Sequence, residues 1–357
     1  MKFNCKKEDL LNAVNVAIRG IPNKTTMPIL SCFLLSASGD LVKINATDTE
    51  LGVVTSFDAK VSEDGDIALD AKLFSDIVKR LPEGDVSFES DDTTATVKSG
   101  KTKINMGVRN SEDYPSITTI DKSNVLKMTQ ESLKDLISQV IFSVAQNGNN
   151  VIMTGVHFRV SDNKLTVTAL DGHRIAIRQW QALCDDMQFI IPSKTLIELS
   201  KVITEGDIDI YYTDTSAMFD FGNSIITTRL IAGDYFDIAK VITDEFDISV
   251  KVDRKTLIDC LDRATLMIRE GDRKPVIFTI SDTLNIKVQT PLGSTNEDIE
   301  IEKPEKELVI GLNPRFLMDA LRVIGDSEVT LYFNDAKAPC HIKGEDYRYV
   351  VLPINFN

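Results

Sequence analysis

Residues 171–174 read Asp-Gly-His-Arg: an acid, a turn residue, an imidazole and a guanidinium in succession. Three kinds of chemistry fit them. His173 oriented by Asp171 is half of a general-base pair, as a hydrolase or nuclease would use. That task also needs a nucleophile or a second acid, and none is evident nearby. Asp-Gly is equally a turn signal, with His173 and Arg174 hydrogen-bonding locally. The third reading is a binding site, a turn at the rim of an apolar groove. The end of the chain favours the third. Residues 349–357 read Tyr-Val-Val-Leu-Pro-Ile-Asn-Phe-Asn, an apolar end that must dock as a last strand or beside a groove. Pro353 stops such a strand from continuing inside a sheet.

A second pattern is electrostatic. Lys72 and Lys79, Lys194 and Lys201, and Arg315 and Arg322 stand seven residues apart, each pair in a helix-type window. Seven residues is two helical turns, so both members of a pair share a face. A solvated helix can carry such a pair by chance. Recurrence at three matched places points to a lining that attracts a polyanion without reading its sequence. No aromatic residues interleave with these cations, which disfavours a stacking surface for single strands.

The places match because the chain repeats itself. Shifts of 121–123 residues carry Glu8 and Leu10 onto Glu131 and Leu133, Ala46 and Asp48 onto Ala169 and Asp171, Gly84-Asp85 onto Gly206-Asp207, and Asp113-Tyr114 onto Asp234-Tyr235. A weaker third copy begins near residue 247, where Leu257 falls on Leu133 and Arg315 on Lys194. Each copy holds two amphipathic helix patterns. The windows are 7–19 and 71–81, 131–144 and 193–203, and 253–268 and 313–324. In the second set the apolar stripes run through Leu73, Phe74, Ile77, Val78 and Leu81; Leu196, Ile197, Leu199 and Ile203; and Phe316, Leu317, Ala320, Leu321 and Ile324. Alternating strand-type runs lie between, such as 41–44, 164–167 and 284–288. The expectation is an α+β fold of three domains, 1–121, 122–245 and 246–357, with antiparallel sheets. A repeat unit of this size is a domain, far above the 20–50 residues of a solenoid repeat. Three like domains suggest a curved or ring-like assembly closed by self-association.

Composition sets the outer limits. The chain has 357 residues, too many for one ordinary core, and its 43% hydrophobic and 26% charged content is that of a globular protein. No apolar run approaches the roughly 20 residues of a membrane span, and no signal peptide is visible. Five scattered cysteines read as reduced cytoplasmic thiols. Three dispersed histidines make no metal cluster, and phosphate-loop, GxSxG and HExxH motifs are missing. The net charge of −14 argues at first against nucleic acid. It is unevenly spread: the six helix windows sum to +3 and the rest of the chain to −17. An acidic exterior around a mildly basic lining fits both figures.

In this order the segments Met1-Lys2-Phe3, Pro28-Ile29-Leu30, Ala46-Thr47-Asp48-Thr49-Glu50, Leu81-Pro82-Glu83-Gly84, Glu112-Asp113-Tyr114-Pro115, Asp171-Gly172-His173-Arg174 and Val350-Val351-Leu352-Pro353-Ile354 span the chain. Together they resemble the bacterial DNA polymerase III beta subunit family, the DNA sliding clamps. The resemblance implies three clamp-type domains, each with two helices packed on antiparallel sheets. It implies a head-to-tail homodimer forming a ring around duplex DNA, with helices lining the hole. The implied protein is a processivity factor with no catalysis, cofactor or metal of its own, placed in the cytoplasm and not on a membrane. Its implied partners are duplex DNA without sequence preference, the replicative DNA polymerase alpha subunit, the clamp loader and other proteins carrying a clamp-binding motif.

The resemblance also assigns residues. A hydrophobic cleft for a Leu- and Phe-containing peptide falls on Met153, Leu170, Gly172, His173, Arg174, Ile175, Phe236, Val241, Val350, Val351, Leu352, Pro353 and Ile354. Its apolar walls would bury the anchors at roughly 1.5–3 kcal/mol each, with Arg174 orienting the peptide. DNA contacts fall on Lys24, Lys72, Lys79, Asn147, Lys194, Lys201, Arg315 and Arg322. The dimer contact would set Lys101, Lys103, Ile104 and Met106 against Leu266, Met267, Glu300 and Glu302. Three features depart from the family pattern: Leu170 replaces a frequent Thr, Phe236 a frequent Pro, and Phe356-Asn357 extend the usual end. A clamp-like scaffold that stays monomeric is the remaining alternative.

Overall fold

The computed structural model describes residues 1–117, 120–146, 150–239, 241–269 and 274–356. Among them, six strands each lead into a helix: Lys2–Lys6 into α1 (Lys7–Ala17), Gly65–Asp70 into α2 (Ala71–Arg80), Val125–Thr129 into α3 (Gln130–Ser138), Met187–Pro192 into α4 (Ser193–Ser200), Ile248–Asp253 into α5 (Arg254–Thr265) and Leu308–Leu312 into α6 (Pro314–Val323). Short polar residues at the junctions explain the switch. Asp70, Asp253 and Asn313 accept amide hydrogen bonds from Leu73, Thr256 and Arg315 at 2.7–3.0 Å, and Thr129 accepts one from Ser132 at 3.2 Å. Such caps are worth about 1 kcal/mol each.

The repeat is visible in single hydrogen bonds. The first amide of α1, α3 and α5 reaches the loop after the second helix of its copy: Lys7 to Gly84, Gln130 to Gly206 and Arg254 to Ser327, at 2.8–2.9 Å. Lys7, Gln130 and Arg254 also bond by side chain to Glu83, Glu205 and Asp326, at 2.6–2.8 Å.

The chain divides into two compact units, Met1–Lys134 with Lys194–Leu230 and Asp135–Ser193 with Ile231–Asn357. The first unit holds a five-stranded sheet whose last strand is Thr102–Gly107, and an eight-stranded sheet. The second holds another eight-stranded sheet and a four-stranded one that runs from Gly293–Glu300 to Leu308–Leu312. Every strand pair is antiparallel. Inward faces carry the core. In the first unit Phe3 stacks on Phe88 at 4.9 Å between centroids, and Phe74 meets Phe88 and Phe33 edge-on.

Each eight-stranded sheet is two four-stranded halves joined edge to edge. In the first unit the join, here the first seam, pairs Leu51–Asp58 with Ser224–Arg229. In the second unit the second seam pairs Arg174–Gln181 with Tyr347–Val351. A shift of 123 residues carries one seam onto the other: Thr55 opposite Ser224 becomes Arg178 opposite Tyr347, and Leu51 opposite Thr228 becomes Arg174 opposite Val351.

Several sequence expectations need correction. The helices are shorter than their windows, because 3₁₀ turns Ile18–Gly20 and Ile141–Ser143 take over after α1 and after α3. At Gly20 a Cβ would stand 2.6 Å from the Ala46 carbonyl oxygen, so the chain turns tightly against a strand there. Leu73 and Ile197 are 50% and 39% exposed, outside the buried stripes assigned to them. Over the six observed helices, eleven basic residues face nine acidic ones, so the excess falls from +3 to +2.

Candidate functional site

The second seam carries the Asp-Gly-His-Arg turn. Asp171 Oδ1 accepts the amides of His173 and Arg174 at 2.9 and 3.1 Å, an Asx turn that needs the positive φ of Gly172, +86°. The equivalent turn at the first seam is built alike, with Asp48 Oδ1 accepting from Glu50 and Leu51 and Thr49 at φ +80°. A β-branched residue held there is strained; Gly172 is not.

Arg174 is the hub. It is 11% exposed, and every arm of its guanidinium is taken: Nε by Asp171 Oδ2 at 3.0 Å, Nη1 by Asp319 Oδ2 at 2.6 Å and Nη2 by the Phe142 carbonyl. Its Cζ lies over the Phe316 ring, 4.3 Å from the centroid, and the His173 ring stacks on Phe316 with centroids 6.4 Å apart. The carboxylate of Asp171 is therefore spent on its own turn and on Arg174, while the His173 ring packs on an aromatic. That arrangement locks a wall in place. It is not the geometry of a general-base dyad. Phe316, Asp319 and Phe142 are the partners that sequence reading missed as site residues. Phe316 had been counted only in a helix stripe, and no local motif links residues so far apart in the chain.

The wall flanks an apolar row. Strand register aligns Leu170 with Ile175 and Ile175 with Val350, so the three side chains share one face. Leu170 and Val350 are buried and Ile175 is half-buried, and Val351 is 1% exposed beside them. Val350 thus belongs to the floor and Val351 to the opposite face of the sheet, while Leu352, 37% exposed, stands at the rim. The chain end is docked as well. Leu352 donates its amide to the His173 carbonyl at 2.9 Å, and Ile354 donates to Gly311 at 2.8 Å. Gly311 has no room for a side chain, since a Cβ would lie 2.6 Å from both the Ile354 oxygen and the Phe356 ring. Pro353 and Ile354 are half-buried, and Phe356 of the extension packs on Gly311. Gly172 and His173 are exposed, as a rim requires.

Phe236 belongs to a neighbouring wall. It is 37% exposed, meets Tyr235 edge-on at 5.9 Å and lines a cavity of about 600 Å³ with His157 and Thr168. Tyr235 hydrogen-bonds the Thr168 carbonyl at 3.3 Å and stacks on His157 at 4.6 Å. Burial holds the His157 imidazole well below its ordinary value, at about 4. Met153 and Val241 are half-buried on adjoining turns, and the structure ties neither into the apolar row by a bond.

The basic residues separate into two groups. Lys24, Lys72, Lys79, Lys194, Lys201, Arg315 and Arg322 are all exposed. Lys194 pairs with Asp48, Lys201 with Glu198 at 2.7 Å and Arg322 with Asp262 at 3.7 Å. Among the described residues no such partner stands beside Lys24, Lys72, Lys79 or Arg315. The recurring pairs are therefore unequal: both members are free in α2, one in α6 and neither in the central copy. Asn147 lies outside the described residues.

The comparisons agree along the whole length. The N-terminal, central and C-terminal domain profiles of the DNA polymerase III beta subunit match residues 1–118, 127–237 and 239–355. The chain belongs to the DNA polymerase III beta subunit family. The beta sliding clamp of Bacillus subtilis is 30% identical, covering 99% of each chain. A solved DNA polymerase III beta subunit structure from Eubacterium rectale is 42% identical with a TM-score of 0.96, covering 100% of both chains. A DNA sliding clamp structure from Pseudomonas aeruginosa bound to griselimycin is 26% identical with a TM-score of 0.94 over 100% of both.

Proposed function

We propose that the chain is a DNA sliding clamp of three domains, divided near residues 121 and 245, that closes as a head-to-tail homodimer around duplex DNA and tethers the replicative polymerase. The observation that carries this reading is the second seam, where an apolar row of Leu170, Ile175 and Val350 lies beside a wall locked by Arg174. Leu and Phe anchors of a partner peptide bury on that row, between the His173 and Leu352 rims and the Phe236 wall. Arg174 contributes by holding Phe316 and the turn, each of its three guanidinium nitrogens already making one bond. The clamp loader and other motif-bearing proteins would use the same cleft in turn, so the chain works by binding, in the cytoplasm, with no reaction of its own.

The dimer reading rests on two open edges. Thr102–Gly107 ends the five-stranded sheet and Gly293–Glu300 ends the four-stranded one. One edge brings Lys101 and Lys103, the other Glu300 and the nearby Glu302, and all four are exposed. Leu266 is 70% exposed and Met267 half-buried at the acidic edge, and Ile104 is half-buried at the basic one. Met106 corrects the expectation: at 5% exposed it is covered within its own unit, leaving Ile104, half-buried on the same strand face, as the apolar contact.

DNA is held by the unpaired cations Lys24, Lys72, Lys79 and Arg315 first, with Lys194, Lys201 and Arg322 adding less because their charge is met locally. A labelled synthetic peptide ending in Leu-Phe tests the cleft. Leu352→Asp should weaken its binding at least tenfold while the fold persists. Unchanged affinity would place the cleft elsewhere. A native mass near the 39.7 kDa of one chain would contradict the dimer.

A further inference from the structure

The first seam holds the counterpart of the peptide row, and it is filled. Where the second seam has Leu170, Ile175 and Val350, the first has Thr47, Gly52 and Thr227 on the same rungs. Around them lies a cavity of about 230 Å³ whose lining includes Thr49, Glu50, Ile117 and Arg229. Ile117 is one of these lining residues. This linker residue lies so close over Gly52 that a Cβ there would meet Ile117 Cγ2 at 2.7 Å and Thr227 Oγ1 at 2.6 Å.

The second linker starts in the same way and ends differently. Tyr114 and Tyr235 are equivalent, and their hydroxyls bond equivalent carbonyls, Asn45 and Thr168, both at 3.3 Å. Three residues on, Ile238 does not cover residue 175. It lines cavities with Thr166, Thr168 and Ile177, two or more rungs along, and Ile175 lines neither of them. Ile175 carries the side chain that Gly52 lacks, on the rung where Ile117 closes over Gly52 at the first seam.

We infer that residue 175 decides which seam is open: its side chain keeps the linker isoleucine off the peptide row, whereas Gly52 lets Ile117 plug the equivalent row from within. The inference deepens the reading of the second seam as a peptide cleft and rests on it for its functional consequence. The first seam becomes a closed relic of the same site, shut by its own linker and lined by threonine hydroxyls in place of methyl groups.

The test is Ile175→Gly, followed by crystallography and peptide titration. The expected structure seats Ile238 between Leu170 and Val350, as Ile117 sits at Gly52. Affinity for the Leu-Phe peptide should fall at least tenfold. The double variant Ile175→Gly with Ile238→Ala should regain most of that loss, since it removes the plug. An Ile238 that stays beside Ile177, or a double variant no tighter than the single, overturns the inference. A wild-type chain that fails to bind the peptide overturns the cleft reading instead, and the position of Ile238 still decides the gate. Gly52→Ala supplies the converse if the glycine variant does not fold. It should expel Ile117 and speed hydrogen exchange in residues 111–117 at least tenfold; unchanged exchange counts against the plug.

Discussion

The two seams are the same construction put to different uses. Each joins two half-sheets with a register that a single shift reproduces, down to the amide after the strand: Arg229 donates to Glu50 at 3.1 Å and Leu352 to His173 at 2.9 Å. They differ in what fills the join. The first is closed by hydroxyls, with Thr55 bonded to Ser224 at 2.8 Å and Thr195 to Thr228 at 2.7 Å, both buried. At the second seam Arg178 and Tyr347 take the places of Thr55 and Ser224, Val351 takes that of Thr228, and the turn is bonded through the Arg174 network. Buried hydroxyl pairs satisfy each other and offer nothing to a partner. An apolar row left half-covered offers area. One duplicated frame thus yields one structural joint and, on the function proposed above, one binding surface.

The largest expected break is at the hub of the second seam. Arg174→Ala removes three charge-assisted bonds and leaves Asp319 without its partner, costing about 3 kcal/mol in chemical denaturation. Peptide binding should fall with it, since the Phe316 wall loses its support.

Acid should separate the two units next. All three histidines, His157, His173 and His341, belong to the second. His157 and His341 both titrate at about 4 in the folded chain, held down mainly by burial. Lys343 and Arg348 add repulsion at His341. A folded value below the ordinary 6.5 means that the unfolded state binds more protons between the two. The stabilisation is whole above pH 6.5 and is lost as the pH falls from there through about 4. The loss should be on the order of 2 kcal/mol, confined to the second unit in hydrogen exchange. His341→Phe should flatten it.

Smaller effects sharpen the contrast. Thr195→Val should cost the first seam about 1 kcal/mol by removing the buried hydroxyl pair and leaving Thr228 only its bond to the Arg229 carbonyl, read from the unfolding midpoint. Smallest in stability is the charge test. Lys72→Glu with Lys79→Glu should shorten retention on DNA at moderate salt several-fold more than Lys194→Glu, whose charge already faces Asp48. Equal effects would mean that the local ion pairs open when DNA is near.

Much of this was legible from residues alone. The repeat came from short matched segments and the helix windows from apolar periodicity, while the caps at Asp70, Asp253 and Asn313 are seen only in the structure. The Asx turn at Asp171 and the docked chain end followed from residue type. The unread parts depend on distance in the chain. Nothing local to Arg174 announces Asp319, nothing about α4 announces that Asp48 meets Lys194, and Met106 and Ile104 share one face of their strand, so only what covers each makes Met106 the more buried. The Gly52–Ile117 contact likewise needs the linker's path across the sheet.

The central claim is topological: the protein stays on DNA because it surrounds it. The direct measurement is retention on a closed circular duplex after loading, before and after a single cut that linearises it. The account predicts stable retention on the circle and rapid loss from the cut ends, with little dependence on sequence. Equal retention on circular and linear DNA, abolished by salt alone, would contradict it and make the chain an ordinary surface binder.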